Sequence, residues 1–166
     1  MSDYYTYCDS PIGPLLLTGD KTRLTGLYFS TGSKARGADA GWERLDEPFR
    51  AVCRQLQQYF AGTRKTFDVA IEPSGTPFQL DVLNALLEIP YGERRSYADI
   101  AAEVGRPAAV RAVGAANGRN PIALIIPCHR VIGKDGSLTG FGGGMAAKRY
   151  LLEHEARHSG LFVDAK

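Results

Sequence analysis

The chain has few of the residues that cross-link small proteins or bind metals. Its 166 residues include three cysteines and three histidines. Cys8, Cys53 and Cys128 are odd in number and widely spaced, and no CxxC pair or histidine cluster accompanies them. Such a set indicates neither a disulfide framework nor a structural zinc site. We therefore expect reduced thiols, as in a cytosol, and no bound metal.

Long apolar runs are also missing. No segment approaches the roughly 20 apolar residues that a membrane-spanning helix needs. The first residues lack the basic region followed by an apolar region that marks a secretory signal. We expect a cytoplasmic protein. With 44% hydrophobic residues the chain can bury a core, and its length suits one compact domain or two small domains that share an interface.

The net charge of +2 conceals an uneven distribution. Residues 91–150 carry nine Lys or Arg against four Asp or Glu, whereas residues 1–90 carry nine against eleven. A basic middle segment is typical of a protein whose partner is rich in phosphates. The alternative is a solvated basic surface without a partner, and the charge count alone does not decide between them.

Prolines and glycine divide the chain near residues 72–77. We predict an N-terminal α/β domain over residues 1–73 and a mainly helical C-terminal domain over residues 74–166. Hydrophobic periodicity predicts the elements of the first domain, which are strands at Leu15–Thr18, Leu24–Phe29 and Thr66–Ile71 and a helix at Phe49–Phe60.

The C-terminal part has four helical patterns. They begin at Thr76-Pro77 and then cover Tyr97–Val104, Ala108–Gly118 and Ala146–His158. The second and third are joined by Gly105-Arg106-Pro107, which gives the outline of a helix-turn-helix. That outline also occurs in many unrelated helical proteins, so it does not establish DNA binding.

The segment Pro127-Cys128-His129-Arg130 carries the clearest chemical signal. It closes the apolar run 122–126, whose β-branched residues and final proline predict a buried extended segment that delivers a thiol to a defined place. A histidine can help to ionise a neighbouring thiol. Because consecutive side chains of an extended segment point to opposite faces, we expect Cys128 and His129 to interact across a turn or through a water. The alternative is a buried structural cysteine beside a histidine.

The predicted helix Ala108–Gly118 contains Arg111 but almost no other long polar side chain. It is poorly equipped to read base edges in a major groove. Its small residues, among them Ala112, Gly114 and Ala115, would let the backbone approach a sugar-phosphate surface, as minor-groove binding without sequence preference requires. Taken alone, Arg111 is equally consistent with an ordinary phosphate contact or a surface charge.

The stretch from Arg111-Ala112-Val113-Gly114 through Asn120-Pro121 to Cys128-His129-Arg130-Val131-Ile132 resembles the O6-alkylguanine-DNA alkyltransferases. Members of that family move an alkyl group from a damaged guanine onto their own cysteine. The resemblance implies an α+β fold, with a small ribonuclease H-like N-terminal domain containing an antiparallel sheet and a winged-helix-like C-terminal domain with a helix-turn-helix. It also implies a monomer that binds double-stranded DNA in the minor groove, flips the damaged base and needs no cofactor.

The resemblance assigns roles to five residues of the reaction centre. Cys128 would attack the alkyl carbon, His129 would accept the thiol proton through a water, and Glu155 would hold His129. Tyr97 would donate to a ring nitrogen of the guanine, and Asn120 would order the turn before Cys128. Without the family, Tyr97 is better interpreted as a core aromatic residue.

The resemblance also implies a set of DNA contacts. Arg111 would fill the space left by the flipped nucleotide, and backbone carbonyls near Cys128 and Val131 would recognise the guanine amino group. Phe141 stands where many members have a tyrosine, which removes a hydroxyl from the pocket wall. The predicted DNA-binding and substrate-binding residues are Arg94, Arg95, Arg111, Ala112, Gly114, Ala115, Val131, Phe141, Gly143 and Lys148.

Two other functions are compatible with parts of the sequence. One is a DNA-binding protein that senses alkylated bases without transfer. The sensing relatives of the resembling family lack a cysteine at the position of Cys128, so the presence of Cys128 speaks against this alternative. The other is a Cys-His-Glu hydrolase or acyltransferase, which would turn over many times. The basic middle segment favours DNA over the substrates of such a hydrolase.

Overall fold

A computed structural model describes residues 2–30, 37–136 and 144–159. The N-terminal part contains a four-stranded sheet in the order β3-β2-β1-β4. Neighbouring strands are antiparallel except for β1 and β4, which pair in parallel. The elements are β1 (Tyr4–Cys8), β2 (Leu15–Gly19), β3 (Leu24–Phe29), β4 (Glu43–Arg44) and helix α1 (Arg50–Phe60).

The predictions of β2, β3 and α1 are confirmed, whereas β1 was not predicted. The strand predicted at Thr66–Ile71 is wrong over most of its length, because only Ile71 forms a bridge, to Leu24 of β3. The side chain of Gln55 instead binds both backbone groups of Asp68, donating to its carbonyl at 2.9 Å and accepting from its N–H at 2.8 Å. These groups are therefore not used in a strand ladder.

Two of the three cysteines lie next to each other. A disulfide joins Cys8 of β1 to Cys53 of α1, with Cα atoms 5.9 Å apart, so the expectation of reduced thiols is wrong for this pair. The sequence spacing of 45 residues hid the pairing, because Cys8 belongs to the strand that the sequence pattern did not reveal. Cys128 is the free cysteine, and it is buried.

The C-terminal part is mainly helical, as predicted. Thr76 and Ser96 each form a capping box with the residue three positions later, which fixes the first turns of the first two helices. The elements are α2 (Pro77–Leu87), β5 (Arg95–Ser96), α3 (Tyr97–Glu103), α4 (Val110–Gly118), β6 (Val131–Ile132) and α5 (Met145–His158).

Helices α3 and α4 pack together as the two arms of the predicted helix-turn-helix. Gly105 has a φ of +77°, a left-handed conformation that favours glycine and turns the chain sharply after α3. The short strands β5 and β6 pair in parallel, which places the chain just before α3 beside the chain that follows Cys128. None of the described helices is long and apolar enough to cross a membrane.

The apolar run 122–126 is buried as predicted, but it is not extended. Ile122 forms one bridge to Leu27, after which the chain turns tightly, with Leu124 at a φ of +70°. The side chain of Asn120 closes this loop by accepting from the Ile122 N–H at 3.0 Å and donating to the Ile126 carbonyl at 2.8 Å. A local side-chain bond thus replaces strand pairing.

Candidate active site

Cys128 lies at the start of a single 3₁₀ turn formed by Cys128, His129 and Arg130. Its N–H donates to the Ile126 carbonyl at 2.8 Å, and the Arg130 N–H donates to the Pro127 carbonyl at 3.0 Å. Asn117 of α4 donates to the Cys128 carbonyl at 3.4 Å. Only 5% of Cys128 is exposed. The thiol is therefore held in a fixed place, although on a turn instead of an extended segment.

The surroundings of Cys128 act on its ionisation in opposite directions. Burial raises the pKa of the thiol above its usual value. A hydrogen bond from Asn120, the positive charge of Lys148 and the N–H groups of Cys128 and His129 partly offset that effect. The net direction is upward, so the resting cysteine is a protonated thiol at neutral pH. A base must accept its proton when it reacts.

His129 is completely buried and makes a short contact with α5. Its Nε2 lies 2.6 Å from Oε2 of Glu155. Because a carboxylate only accepts, Nε2 carries the hydrogen and donates it. The other ring nitrogen, Nδ1, has no hydrogen-bond partner among the described residues. His129 is therefore held in the tautomer whose Nδ1 lone pair is free to accept a proton.

Glu155 is also bound by Arg130. The Arg130 Nε donates to Oε1 at 2.8 Å and Nη2 donates to Oε2 at 3.1 Å, while Nη1 donates to the Ile89 carbonyl at 2.7 Å. Burial of Glu155 favours its neutral form, but the charge that His129 takes up at acidic pH, the charge of Arg130 and the hydrogen bonds of both residues outweigh it and hold the pKa of the carboxyl far below its usual range. Glu155 is a permanent carboxylate.

This arrangement keeps His129 neutral. Burial lowers the pKa of its imidazole, the Glu155 carboxylate raises it, and the positive charges of Arg130 and Lys148 lower it again, with a net downward direction. Arg130 neutralises the carboxylate, so Glu155 orients the imidazole without converting it to an imidazolium. A neutral, oriented imidazole is the form in which histidine acts as a general base.

Lys148 of α5 lies inside the protein, not on its surface. It is completely buried, and its Nζ donates to the Val131 carbonyl at 2.6 Å and lies 5.9 Å from the centre of the Tyr97 ring. The predicted role of Lys148 in binding substrate or DNA stays a prediction. Its positive charge acts on Cys128, whose thiolate form it favours.

The other predicted DNA-binding and substrate-binding residues differ in how exposed they are to solvent. Arg111, Ala112 and Ala115 are exposed on one face of α4, with Gly114 half-buried between them. Arg94 is exposed, and Arg95 is half-buried with its Nη2 3.1 Å from Oε1 of Glu93. Val131 is buried, and its carbonyl accepts a hydrogen bond from Lys148. Phe141 and Gly143 lie outside the described residues. The roles of these three residues stay predictions.

Comparison with known proteins addresses the family directly. Residues 77–157 match the model of the 6-O-methylguanine DNA methyltransferase DNA-binding domain, and residues 4–73 match the model of the ribonuclease-like domain of the same methyltransferase. The chain belongs to this family. The predicted fold class, with an N-terminal ribonuclease-like part and a C-terminal DNA-binding part, is confirmed.

The matched relatives of the family span nearly the whole chain. The methylated-DNA--protein-cysteine methyltransferase of Methanosarcina acetivorans is 53% identical over 152 residues, which cover 92% of this chain and 97% of the relative. The crystal structure of the Mycobacterium tuberculosis O6-methylguanine methyltransferase is 49% identical, with a TM-score of 0.88 over 96% of this chain and 95% of its own. The M. tuberculosis OGT in complex with DNA gives the same identity and TM-score over 94% of each chain.

Sequence reasoning missed three residues that contact the predicted family site. Arg130 was part of the quoted motif but received no role, and neither Asn117 nor Tyr59 was assigned a role at the site. Asn117 follows buried Val113 by one helical turn, so a polar residue on the inner face of α4 was a usable signal. Tyr59 was counted in the apolar face of α1, and nothing in its sequence position indicated that its hydroxyl reaches Glu155 at 2.7 Å.

Metal ligation gains no support from the described ranges. Within residues 2–30, 37–136 and 144–159, no group of three or more His, Cys, Asp or Glu side chains is arranged to hold an ion. His129 and Glu155 are in contact, but both oxygens of Glu155 accept hydrogen bonds from His129 and Arg130. The arrangement is suited to moving a proton away from a thiol.

Proposed function

We propose that this chain repairs DNA by moving an alkyl group from O6-alkylguanine onto Cys128, once per molecule. The observation that carries this proposal is the state of His129. One of its nitrogens is held by Glu155 at 2.6 Å, while the other has no partner among the described residues. A buried thiol beside such a base fits nucleophilic attack. The relatives named above are methylated-DNA--protein-cysteine methyltransferases, which agrees with this chemistry.

The reaction can be written with a balanced proton and electron count. The Cys128 thiol gives its proton through a water to Nδ1 of His129, and the sulfur attacks the alkyl carbon. The S–C bond forms as the bond from that carbon to O6 of guanine breaks, and its electron pair stays on the guanine. The guanine anion then takes up one proton and His129 releases the proton that it accepted, so the net proton count is unchanged. Tyr97 and Asn120 are proposed to assist, Tyr97 by donating to a ring nitrogen and Asn120 by ordering the turn and bonding to the sulfur.

The product explains why each molecule acts once. A thioether has no leaving group that water could displace under mild conditions, so Cys128 is not regenerated. A hydrolase that used the same residues would form an ester or thioester, which water cleaves. The number of product molecules per protein molecule therefore separates the two chemistries.

The exposed face of α4 is proposed to bind the minor groove of duplex DNA. Arg111 is the long cationic side chain of that face, and Ala112 and Ala115 leave room for a close approach of the backbone. Since the target atom lies inside the base stack, the guanine must leave the duplex to reach a buried thiol. Arg111 would occupy the space that the guanine vacates. We propose that one monomer carries out the whole reaction.

The first test is the intact mass of the protein after incubation with a duplex oligonucleotide that carries one O6-methylguanine. We expect one added methyl group per molecule, located at Cys128 by peptide mapping, and no further product when substrate is in excess. The Cys128→Ala variant should bind the oligonucleotide and stay unmodified. Cys8 and Cys53 are joined in a disulfide, so Cys128 is the cysteine that offers a free thiol.

Each other outcome of this test contradicts the proposal. Wild-type protein that binds the lesion but keeps its original mass would be a sensor. Repeated turnover on an ester or amide without a stable adduct would identify a hydrolase. A methyl group found on a residue other than Cys128 would move the reaction centre elsewhere.

A further inference from the structure

The carboxylate of Glu155 accepts a hydrogen bond from the N-terminal part of the chain. The hydroxyl of Tyr59 in α1 donates to Oε2 at 2.7 Å, across 96 positions of sequence. The same oxygen accepts from Nε2 of His129 at 2.6 Å and from Nη2 of Arg130 at 3.1 Å. Oε1 accepts from Nε of Arg130 and from the Gly92 N–H at 3.2 Å. Tyr59 thus shares an oxygen with the histidine that serves as the proposed base.

The position of Tyr59 is fixed by its surroundings. It is completely buried, and Nε2 of His154 donates to its carbonyl at 2.7 Å. Its ring lies 5.7 Å from that of Phe67 and 6.1 Å from that of Tyr91. Burial and the adjacent Glu155 raise the pKa of its hydroxyl well above the usual value, so it stays protonated and can only donate to the carboxylate. Its bond to Glu155 is therefore permanent over the working pH range.

The shared oxygen gives Tyr59 an effect on His129. Each hydrogen bond donated to Oε2 disperses the negative charge of the carboxylate. The carboxylate then stabilises the imidazolium form of His129 less, so protonation at Nδ1 is less favourable. Glu155 then holds the Nε2–H without drawing His129 into its charged form. The titratable or charged groups around this pair are Cys128 and Arg130 of the turn, Lys148 of α5, Tyr59 of α1 and Tyr91 after α2.

We infer that Tyr59 is a positioning residue of the alkyl transfer, through which the N-terminal part holds the Glu155–His129 pair in its reactive arrangement. The inference rests on the proposed function of Cys128 and His129, and it gives the N-terminal part a share in the chemistry. Tyr59 does not touch substrate in this role. Its effect is on the rate and the pH dependence of transfer, not on DNA binding.

The test is the Tyr59→Phe variant, which removes one hydroxyl and keeps the ring. A hydrogen bond to a charged group contributes enough that we expect the transfer rate to fall on the order of tenfold. The fall should be equal on duplex DNA and on the free O6-alkylguanine base, because the DNA surface is untouched. His129 must be neutral to accept the proton, so the rate declines as pH falls through its pKa. With one donor fewer, that decline should begin at higher pH than in the wild type.

Tyr91→Phe is the matched control. The Tyr91 ring lies 6.1 Å from that of Tyr59, but its buried hydroxyl has no hydrogen-bond partner within the described ranges. We expect Tyr91→Phe to leave the rate and its pH dependence unchanged. A purely structural role for Tyr59 would lower the unfolding midpoint of Tyr59→Phe while both kinetic readouts stayed at wild-type values, and that result would overturn the inference.

A double variant tests whether Tyr59 acts through Glu155. When Tyr59 acts through Glu155, adding Tyr59→Phe to Glu155→Gln should slow transfer no further, whereas independent effects would multiply. Multiplying effects would contradict the inference. Failure of the proposed function itself is separate, because wild-type protein would then gain no alkyl group at Cys128.

Discussion

The reaction centre and the exposed face of α4 lie in the same part of the chain but are built in opposite ways. At the reaction centre, His129, Arg130 and Glu155 are buried and joined by hydrogen bonds, and the carboxylate alone accepts five. On α4, the exposed side chains are mostly small, and the residue before its first turn provides no side-chain cap. Helices α2 and α3, by contrast, both begin with a capping box.

The difference matches the role proposed for each region. Moving a proton from a buried thiol requires charges whose positions are set before substrate arrives, since reorganising them would add to the barrier. Approaching the sugar-phosphate surface of any sequence requires shape and one or two cations instead of a fixed hydrogen-bond pattern. Variants in the two regions should therefore fail in different ways, and each can be measured on duplex DNA and on the free alkylated base.

Glu155→Gln should have the largest effect of the variants considered in the two regions. The substitution replaces a carboxylate oxygen, which accepts hydrogen bonds, by an NH2 group, which donates them. It also leaves the buried guanidinium of Arg130 without its negatively charged partner. Breaking a buried ion pair costs about 3–5 kcal/mol of unfolding free energy. Transfer should slow roughly a hundredfold on both substrates, as expected when a general base loses its orientation. Urea unfolding and single-turnover rates measure the two effects.

The pH dependence of stability provides a second measurement on Glu155. Its folded pKa lies below the usual glutamate value of 4.5. Its contribution to stability is therefore fully present above pH 4.5 and is lost as pH falls towards the folded pKa. The unfolding free energy of Glu155→Gln should therefore fall less steeply than that of the wild type as the pH is lowered below 4.5. Glu153→Gln, an exposed neighbour on α5, is the control and should resemble the wild type. Wild-type rates in Glu155→Gln would refute the proposed role.

Arg111→Ala should have a smaller effect, confined to duplex DNA. Without the side chain that occupies the vacated space, the flipped state is less populated. Because flipping costs a few kcal/mol, we expect alkyl transfer from the duplex substrate to slow about 10–100-fold. Transfer from the free base needs no flipping and should keep its wild-type rate. Arg119→Ala, an exposed arginine at the other end of α4, is the control and should weaken duplex binding only slightly. Equal losses on both substrates would contradict the role of Arg111.

The sequence predicted the helices and the central hairpin because their signals are local. Proline, capping residues and 3.6-residue periodicity mark α1 to α5 without knowledge of the fold. The loop over 122–126 was assigned wrongly because its shape depends on the side chain of Asn120, which competes with strand pairing. The strand at 66–71 failed for a similar reason, since Gln55 of α1 binds Asp68.

The reaction centre was predictable only as far as its motif extends. Cys128 and His129 were named from the motif itself and Glu155 through the family resemblance, and the structure brings His129 and Glu155 together. Tyr59 could not be found in this way, because its contact with Glu155 is created by packing between distant segments. The burial of Lys148 could not be predicted for the same reason, since the sequence gives no sign that a lysine is buried.

The smallest expected effect concerns the turn between α3 and α4. Gly105 has a φ of +77°, and a Cβ built there meets no atom within 4 Å, so Gly105→Ala introduces backbone strain and little else. A left-handed alanine costs about 1–2 kcal/mol of unfolding free energy. Gly41 has equal space without a positive φ, so Gly41→Ala should not destabilise the protein and isolates the strain. Both variants should keep wild-type transfer on the free base. If Gly105→Ala also slowed transfer from duplex DNA, the angle between α3 and α4 would itself contribute to DNA recognition. The shape of this region would then matter for its function as the arrangement of charges matters at the reaction centre.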